Sequence, residues 1–143
     1  MTVTEFLKDH VPFLSGLDEA QARELATSAQ QTSFQQGQLI LMQGETVDSL
    51  HVVASGKVAV SRKEKGSKTV VLLAELGPGK VFGETSILEM GTAGATVRAA
   101  EESLLFIIPQ AAFLKAMADN SDLKARLLAK IAARPVTKPP SRD

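Results

Sequence analysis

The sequence contains no cysteine and only two histidines, His10 and His51. The first absence excludes disulfide frameworks, thiolate metal centres and thiol nucleophiles together. Two histidines are also too few for a histidine-rich metal site. Neither sign of charge dominates, since 16 lysines and arginines face 16 aspartates and glutamates. The densest basic stretch, Arg62-Lys63-Glu64-Lys65, is interrupted by a carboxylate. The electrostatic footprint expected of a duplex-DNA binder is therefore missing, and no nucleic-acid partner is expected. Long apolar runs are missing as well: no segment approaches the ~18 continuous apolar residues of a membrane span. Met1 to His10 carries an early glutamate and no apolar core of the kind a secretory leader needs, so the expectation is a cytoplasmic protein with no membrane partner. No Gly-x-Ser-x-Gly pattern surrounds Ser55, Ser86 or Ser103, and no motif places a histidine to serve them as a base. Hydrolytic chemistry has no support, and the chain is not expected to be an enzyme.

At 143 residues the chain is long enough for one core and reads as one domain over residues 1–134, followed by a proline-rich tail, 135–143, expected to be disordered. Residues from about Thr2 to Ala29 read as helix. Thr4 is positioned to cap Phe6-Leu7, Pro12 interrupts, and Asp18 begins a second segment with Leu17, Ala20, Ala22, Leu25 and Ala26 on one face. From residue 31 to 109 the texture changes to short β-rich runs. These are Ser33-Phe34, Leu39 to Met42, Leu50 to Val53, Val58 to Val60, Thr69 to Leu73, Val81-Phe82, Ala95 to Val97 and Leu104 to Ile108. Glycines fall between them. Eight such runs at even spacing predict a jelly-roll β-barrel, whose closure would remove most sheet edges. Helical pattern returns over 110–134, with Asn120 or Ser121 as cap and Leu123, Leu127, Leu128 and Ile131 on one face. The fold class is thus mainly β with N- and C-terminal helices.

The chemistry-bearing stretch is Gly79-Lys80-Val81-Phe82-Gly83-Glu84-Thr85-Ser86-Ile87-Leu88, followed by Ala95-Thr96-Val97-Arg98-Ala99. A strand ends at a glycine, a carboxylate opens one helical turn, and a β-branched strand returns. The first N–H groups of such a turn lack intrahelical partners, so they offer donors and positive dipole to an anion, and Gly83 admits a ligand close to the backbone. Glu84 at the head of the turn is placed to accept hydrogen bonds from ribose hydroxyls; the plainer reading is a first-turn carboxylate that satisfies nearby N–H groups.

This stretch resembles the phosphate-binding cassette of cyclic nucleotide-binding domains. Phe82, Gly83, Glu84, Ser86, Ile87, Leu88, Ala95, Thr96 and Val97 fall on the family pattern without a gap. Other signatures are in register with it: Gly44-Glu45, Asp48-Ser49-Leu50, the Ser55-Gly56-Lys57-Val58 hairpin, and the lead-in Val11 to Leu17, which in the family precedes a helix packed on the barrel. The resemblance covers about Phe13 to Pro109 and extends toward Ile131. It departs at one point. Where the family has proline and arginine, this chain has Thr92 and Ala93.

The resemblance implies a ligand site at Phe82, Gly83, Glu84, Thr85, Ser86, Ile87, Thr92, Ala93 and Thr96, with a cyclic nucleotide as ligand and no other cofactor. It also implies a C-terminal helix, with Leu127, Leu128 and Ile131 as its lid residues, that moves when ligand binds. Without the arginine, binding is expected to be weak, and backbone donors near Ser86 and Ile87 with the Thr92 and Thr96 hydroxyls are left to hold the phosphate. Arg98 shares a strand face with Thr96 and is read as a solvated strand-end residue; Lys80 is placed at the barrel rim. Val52, Val58, Val60, Val71, Leu73 and Ile107 are read as core, Met42 and Met90 as fillers, and His51 as a satisfied, half-buried histidine. The expected function is a stand-alone regulatory or sensor module that acts through a separate effector protein, with a homodimer through the terminal helices as a further expectation. The alternative is a module that has lost its ligand and serves protein interaction or dimerisation. A DNA-binding regulator is disfavoured because only 34 residues follow Pro109.

Overall fold

The computed structural model describes residues 2–64, 66–83 and 91–132. Helix α1 (Val3–Asp9) is capped by Thr2, whose hydroxyl accepts from the Glu5 N–H at 3.1 Å while Glu5 Oε1 accepts from the Thr2 N–H at 2.8 Å. That reciprocal box places Thr4 inside the helix, so the cap expected at Thr4 moves back two residues. After a 3₁₀ turn (Pro12–Leu14), helix α2 (Glu19–Ser28) starts at Asp18 through a second box with Gln21. Ala22 and Leu25 are buried, but Ala20, which the sequence assigned to the same face, is exposed. It lies two residues from Ala22, on the far side of the helix.

Eight strands follow: β1 (Gln30–Phe34), β2 (Leu39–Leu41), β3 (Ser49–Ser55), β4 (Val58–Lys63), β5 (Val70–Leu76), β6 (Val81–Phe82), β7 (Thr96–Ala99) and β8 (Ser103–Pro109). They form two four-stranded antiparallel sheets, ordered β1-β8-β3-β6 and β2-β7-β4-β5, a jelly-roll arrangement that is not closed into a barrel. Helices α3 (Gln110–Ala118) and α4 (Ser121–Ala132) complete the described chain. The helices lie on the first sheet: Phe6 of α1 meets Phe106 of β8 edge-on at 5.7 Å, and Phe13 meets Phe113 of α3 at 6.1 Å. Phe106 faces the helices, so its neighbour Ile107 lies on the opposite face of β8.

Failure to close has a visible consequence at β5, which is hydrogen-bonded only to β4 at the margin of its sheet. Val71 and Leu73, expected in the core, are 41% and 46% exposed, and their neighbours Val70 and Leu72 reach 61% and 59%. Apolar alternation marks a strand but not the number of its neighbours. Met42, expected as a core filler, is likewise 50% exposed. Val52 and Val58 are fully buried, while Val60 and Ile107 are half-buried. In α4 the buried pair is Leu123 and Leu127, and Leu128, expected beside Leu127, is 49% exposed. Residues 123 and 127 stack one turn apart, and 128 is rotated about 100° from the contact. The side chain of Ile131, Met90 and the 135–143 tail lie outside the described residues.

Candidate functional site

Strand β6 delivers Phe82 and Gly83 to one end of the first sheet. Phe82 pairs with His51 of β3 and is 8% exposed, and the two rings stack with centroids 4.7 Å apart and planes 12° from parallel. Gly83 follows at φ +89°, a conformation open to glycine at little cost. A Cβ there would lie 3.0 Å from the Ser49 carbonyl oxygen and 3.4 Å from both His51 Nδ1 and Val47 Cγ1. The glycine is thus required twice, by its dihedral and by the close approach of β3. Glu84, Thr85, Ser86, Ile87 and Leu88 lie outside the described residues.

Thr92 and Ala93 are held against the Gly44-Glu45-Thr46 turn. Thr92 bridges Thr46, the Ala93 N–H donates to the Glu45 carbonyl at 2.7 Å, and the Ala93 carbonyl accepts from the Gly44 N–H at 2.8 Å. Ala93 is 5% exposed and belongs to the hydrophobic core. Both its N–H and its carbonyl are thus held by the Gly44-Glu45 turn.

Thr96 lies beside the same turn, at Gln43. On β7 it alternates with Val97 and Ala99, which are buried, and shares the outer face with exposed Arg98. Its hydroxyl accepts from the Gln43 N–H at 3.0 Å, and Arg98 Nη1 donates to the Gly37 carbonyl at 3.4 Å. Both residues line an open groove of about 730 Å³ on the outer face of the second sheet, together with Met42, Gln43, Ser61 and Lys63. Lys80 is exposed beside a smaller cleft of about 270 Å³ that also takes in Pro12, Phe13 and Arg126. Neither cavity includes Phe82 or Gly83.

His51 differs from its sequence reading. It is buried, 7% exposed, and its Nδ1 has no aligned hydrogen-bond partner among the described residues. Burial lowers its pKa from 6.5 to about 4; the nearby Ser49 carbonyl and the Asp48 carboxylate pull upward and are outweighed. A histidine in an apolar strand was the only sequence signal available, and it does not reveal that Gly83 closes over the ring.

A glycine corner thus ends a strand where the cassette motif begins, on a two-sheet jelly roll with a helical layer. A model of the cyclic nucleotide-binding domain matches residues 31–120, well over half of the sequence, and the chain belongs to that family. The cyclic AMP receptor protein of Thermus thermophilus is 34% identical over 123 residues, covering 86% of this chain and 56% of that protein. The cGMP-dependent protein kinase, isozyme 1, of Drosophila melanogaster is 35% identical over 91 residues, 64% of this chain and 11% of the kinase. Among solved structures, the Thermus thermophilus catabolite activator protein superposes with a TM-score of 0.73 at 33% identity, covering 86% of this chain and 57% of that one. The regulatory subunit of a cAMP-independent protein kinase A from Trypanosoma brucei gives 0.81 at 25% identity, covering 94% and 47%, in a mutant bound to cAMP that carries, among three substitutions, threonine to arginine. This chain spans about half the length of the receptor and of these two solved structures. The domain is regulatory rather than catalytic. No helix among the described residues is long and apolar enough to cross a membrane.

Proposed function

We propose that this chain is a sensor module that takes a cyclic nucleotide weakly at the turn beginning Phe82-Gly83-Glu84, and passes the signal to a separate effector protein. The observation that carries the reading is Ala93. It occupies the family's arginine position with its backbone fixed on both sides, and the nearest arginine in sequence, Arg98, points from the outer face instead. A charge-assisted contact to a phosphate is worth ~1.5–3 kcal/mol. At ~1.4 kcal/mol per tenfold, its loss lowers affinity by one to two orders of magnitude. The ribose role falls to Glu84, and the phosphate to backbone donors near Ser86 and Ile87 and the Thr92 hydroxyl. Thr96 contributes through its bond to Gln43 rather than through the ligand.

Calorimetric titration with cAMP and cGMP tests this. The unaltered protein should bind in the high micromolar range, and Ala93→Arg should bind at least tenfold tighter. Adding Glu84→Ala should remove most of that gain. Sub-micromolar binding without the substitution would show that the contact is already supplied. A folded Ala93→Arg protein that binds neither nucleotide would sink the reading.

A second reading, a module that works by protein contact or as a homodimer, is favoured by the exposed apolar margin at β5. Sedimentation across a concentration series tests the homodimer form of this reading: a mass that rises with concentration supports it, and a constant monomer mass overturns it.

A further inference from the structure

His51 combines features that neither the core nor the ligand reading uses. Its ring is buried, lies flat on Phe82, and presents to the Gly83 backbone a nitrogen without an aligned partner among the described residues. We infer that His51 is a positioning residue that makes the Phe82–Gly83 corner acid-sensitive: the neutral ring fits the corner, and the protonated ring drives it open. The link to a ligand rests on the cyclic nucleotide reading; the acid sensitivity does not.

The surroundings of the ring decide the sign. From β6 and β8 it meets Phe82 and Ile107, both apolar, and Val47 lines the same corner. The favourable influences on a proton are the Ser49 carbonyl on its own strand and the Asp48 carboxylate just before that strand. A buried imidazolium there would lose its water, and the Ser49 carbonyl and the Asp48 carboxylate offset only part of that loss. The ring accordingly stays neutral down to about pH 4 while the corner is closed, whereas an opened corner returns it toward 6.5. The open state binds the proton first, so closure is fully favoured above about pH 6.5 and weakens as pH falls from there toward 4. By pH 4.5 the opening equilibrium should have risen by roughly 50- to 100-fold.

The test compares the full chain with His51→Phe, which keeps the stacked ring and removes the titration. Amide protection of Phe82 and Gly83, corrected for intrinsic exchange, should fall by that factor between pH 7.5 and 4.5 in the unaltered protein and stay nearly flat in the variant. Matching profiles would overturn the proposal. Should His51→Phe not fold, the ring protons of His51 in the unaltered protein decide: titration near 6.5 overturns it, titration near 4 supports it. In the Ala93→Arg background, saturating cAMP should suppress the acid-induced exchange at these two amides. If cAMP binds and the exchange is unchanged, the corner is not coupled to the ligand and that part is refuted. If cAMP does not bind at all, the cyclic nucleotide reading fails, and the His51→Phe comparison still decides the acid sensitivity.

Discussion

Gly56→Ala should cost the fold about 4 kcal/mol, enough to leave a marginally stable domain partly unfolded at room temperature. Gly56 turns the chain between β3 and β4 at φ +87°. A Cβ there would overlap Ser103 Oγ and the Glu102 carbonyl oxygen well inside van der Waals contact, and would lie 2.7 Å from Ser103 Cα. Two of those atoms belong to backbone and cannot turn aside. The third is committed, because Ser103 is 2% exposed and its Oγ accepts from the Lys57 N–H at 3.0 Å while lying 2.8 Å from the Glu101 carbonyl oxygen. The hairpin and the β7–β8 connection are therefore locked together through a space sized for hydrogen. Gly37 supplies the control: its φ is +86°, but a Cβ would meet nothing within 4 Å. Gly37→Ala should cost about 1 kcal/mol, the dihedral term alone. Urea unfolding of both variants checks this. Equal midpoints would show that the overlap at Gly56 relaxes at no cost.

That contrast also shows what was legible in the sequence. Glycines mark most of the turns, so the eight strands could be located from the runs between them, and Asp18 announced the start of α2 locally. What depends on distant neighbours was not legible. The sequence shows β5 as a run of valines and leucines, which would be core in a closed barrel and lies at the margin of an open pair of sheets. Strand alternation correctly grouped Thr96 with Arg98, yet nothing local says which face of β7 looks inward. That is decided by Val97 and Ala99 pairing with Val60 and Val58 of β4. His51 is the sharper case, since the ring that stacks on it, Phe82, comes from β6, about 30 residues later in the chain. The motif at 82–88 was the most legible part of the candidate site, and of its residues the structure describes Phe82 and Gly83.

Leu127→Ala should destabilise the protein by about 3–5 kcal/mol, while Leu128→Ala should stay within about 0.5 kcal/mol of the unaltered chain. Leu127 is completely buried and Leu123, one turn earlier, is 1% exposed. Truncation at 127 removes three heavy atoms from a packed contact and leaves a cavity, because the helix cannot settle inward without disturbing its other anchors. Those anchors are specific. Arg126 Nη1 donates to the Phe13 carbonyl at 2.8 Å, Asn120 Oδ1 caps the helix through the Leu123 N–H at 3.0 Å, and Asn120 Nδ2 reaches Gln21 Oε1 at 3.1 Å. Together they tie α4 to the 3₁₀ turn and to α2, so the helix is part of the cooperative fold. If α4 moves as a lid when a nucleotide binds, the movement must break or carry these contacts with it. Thermal unfolding of the two leucine variants measures the docking directly. A Leu127→Ala protein as stable as Leu128→Ala would mean that α4 is only loosely seated and that the helix face read from burial is the wrong one.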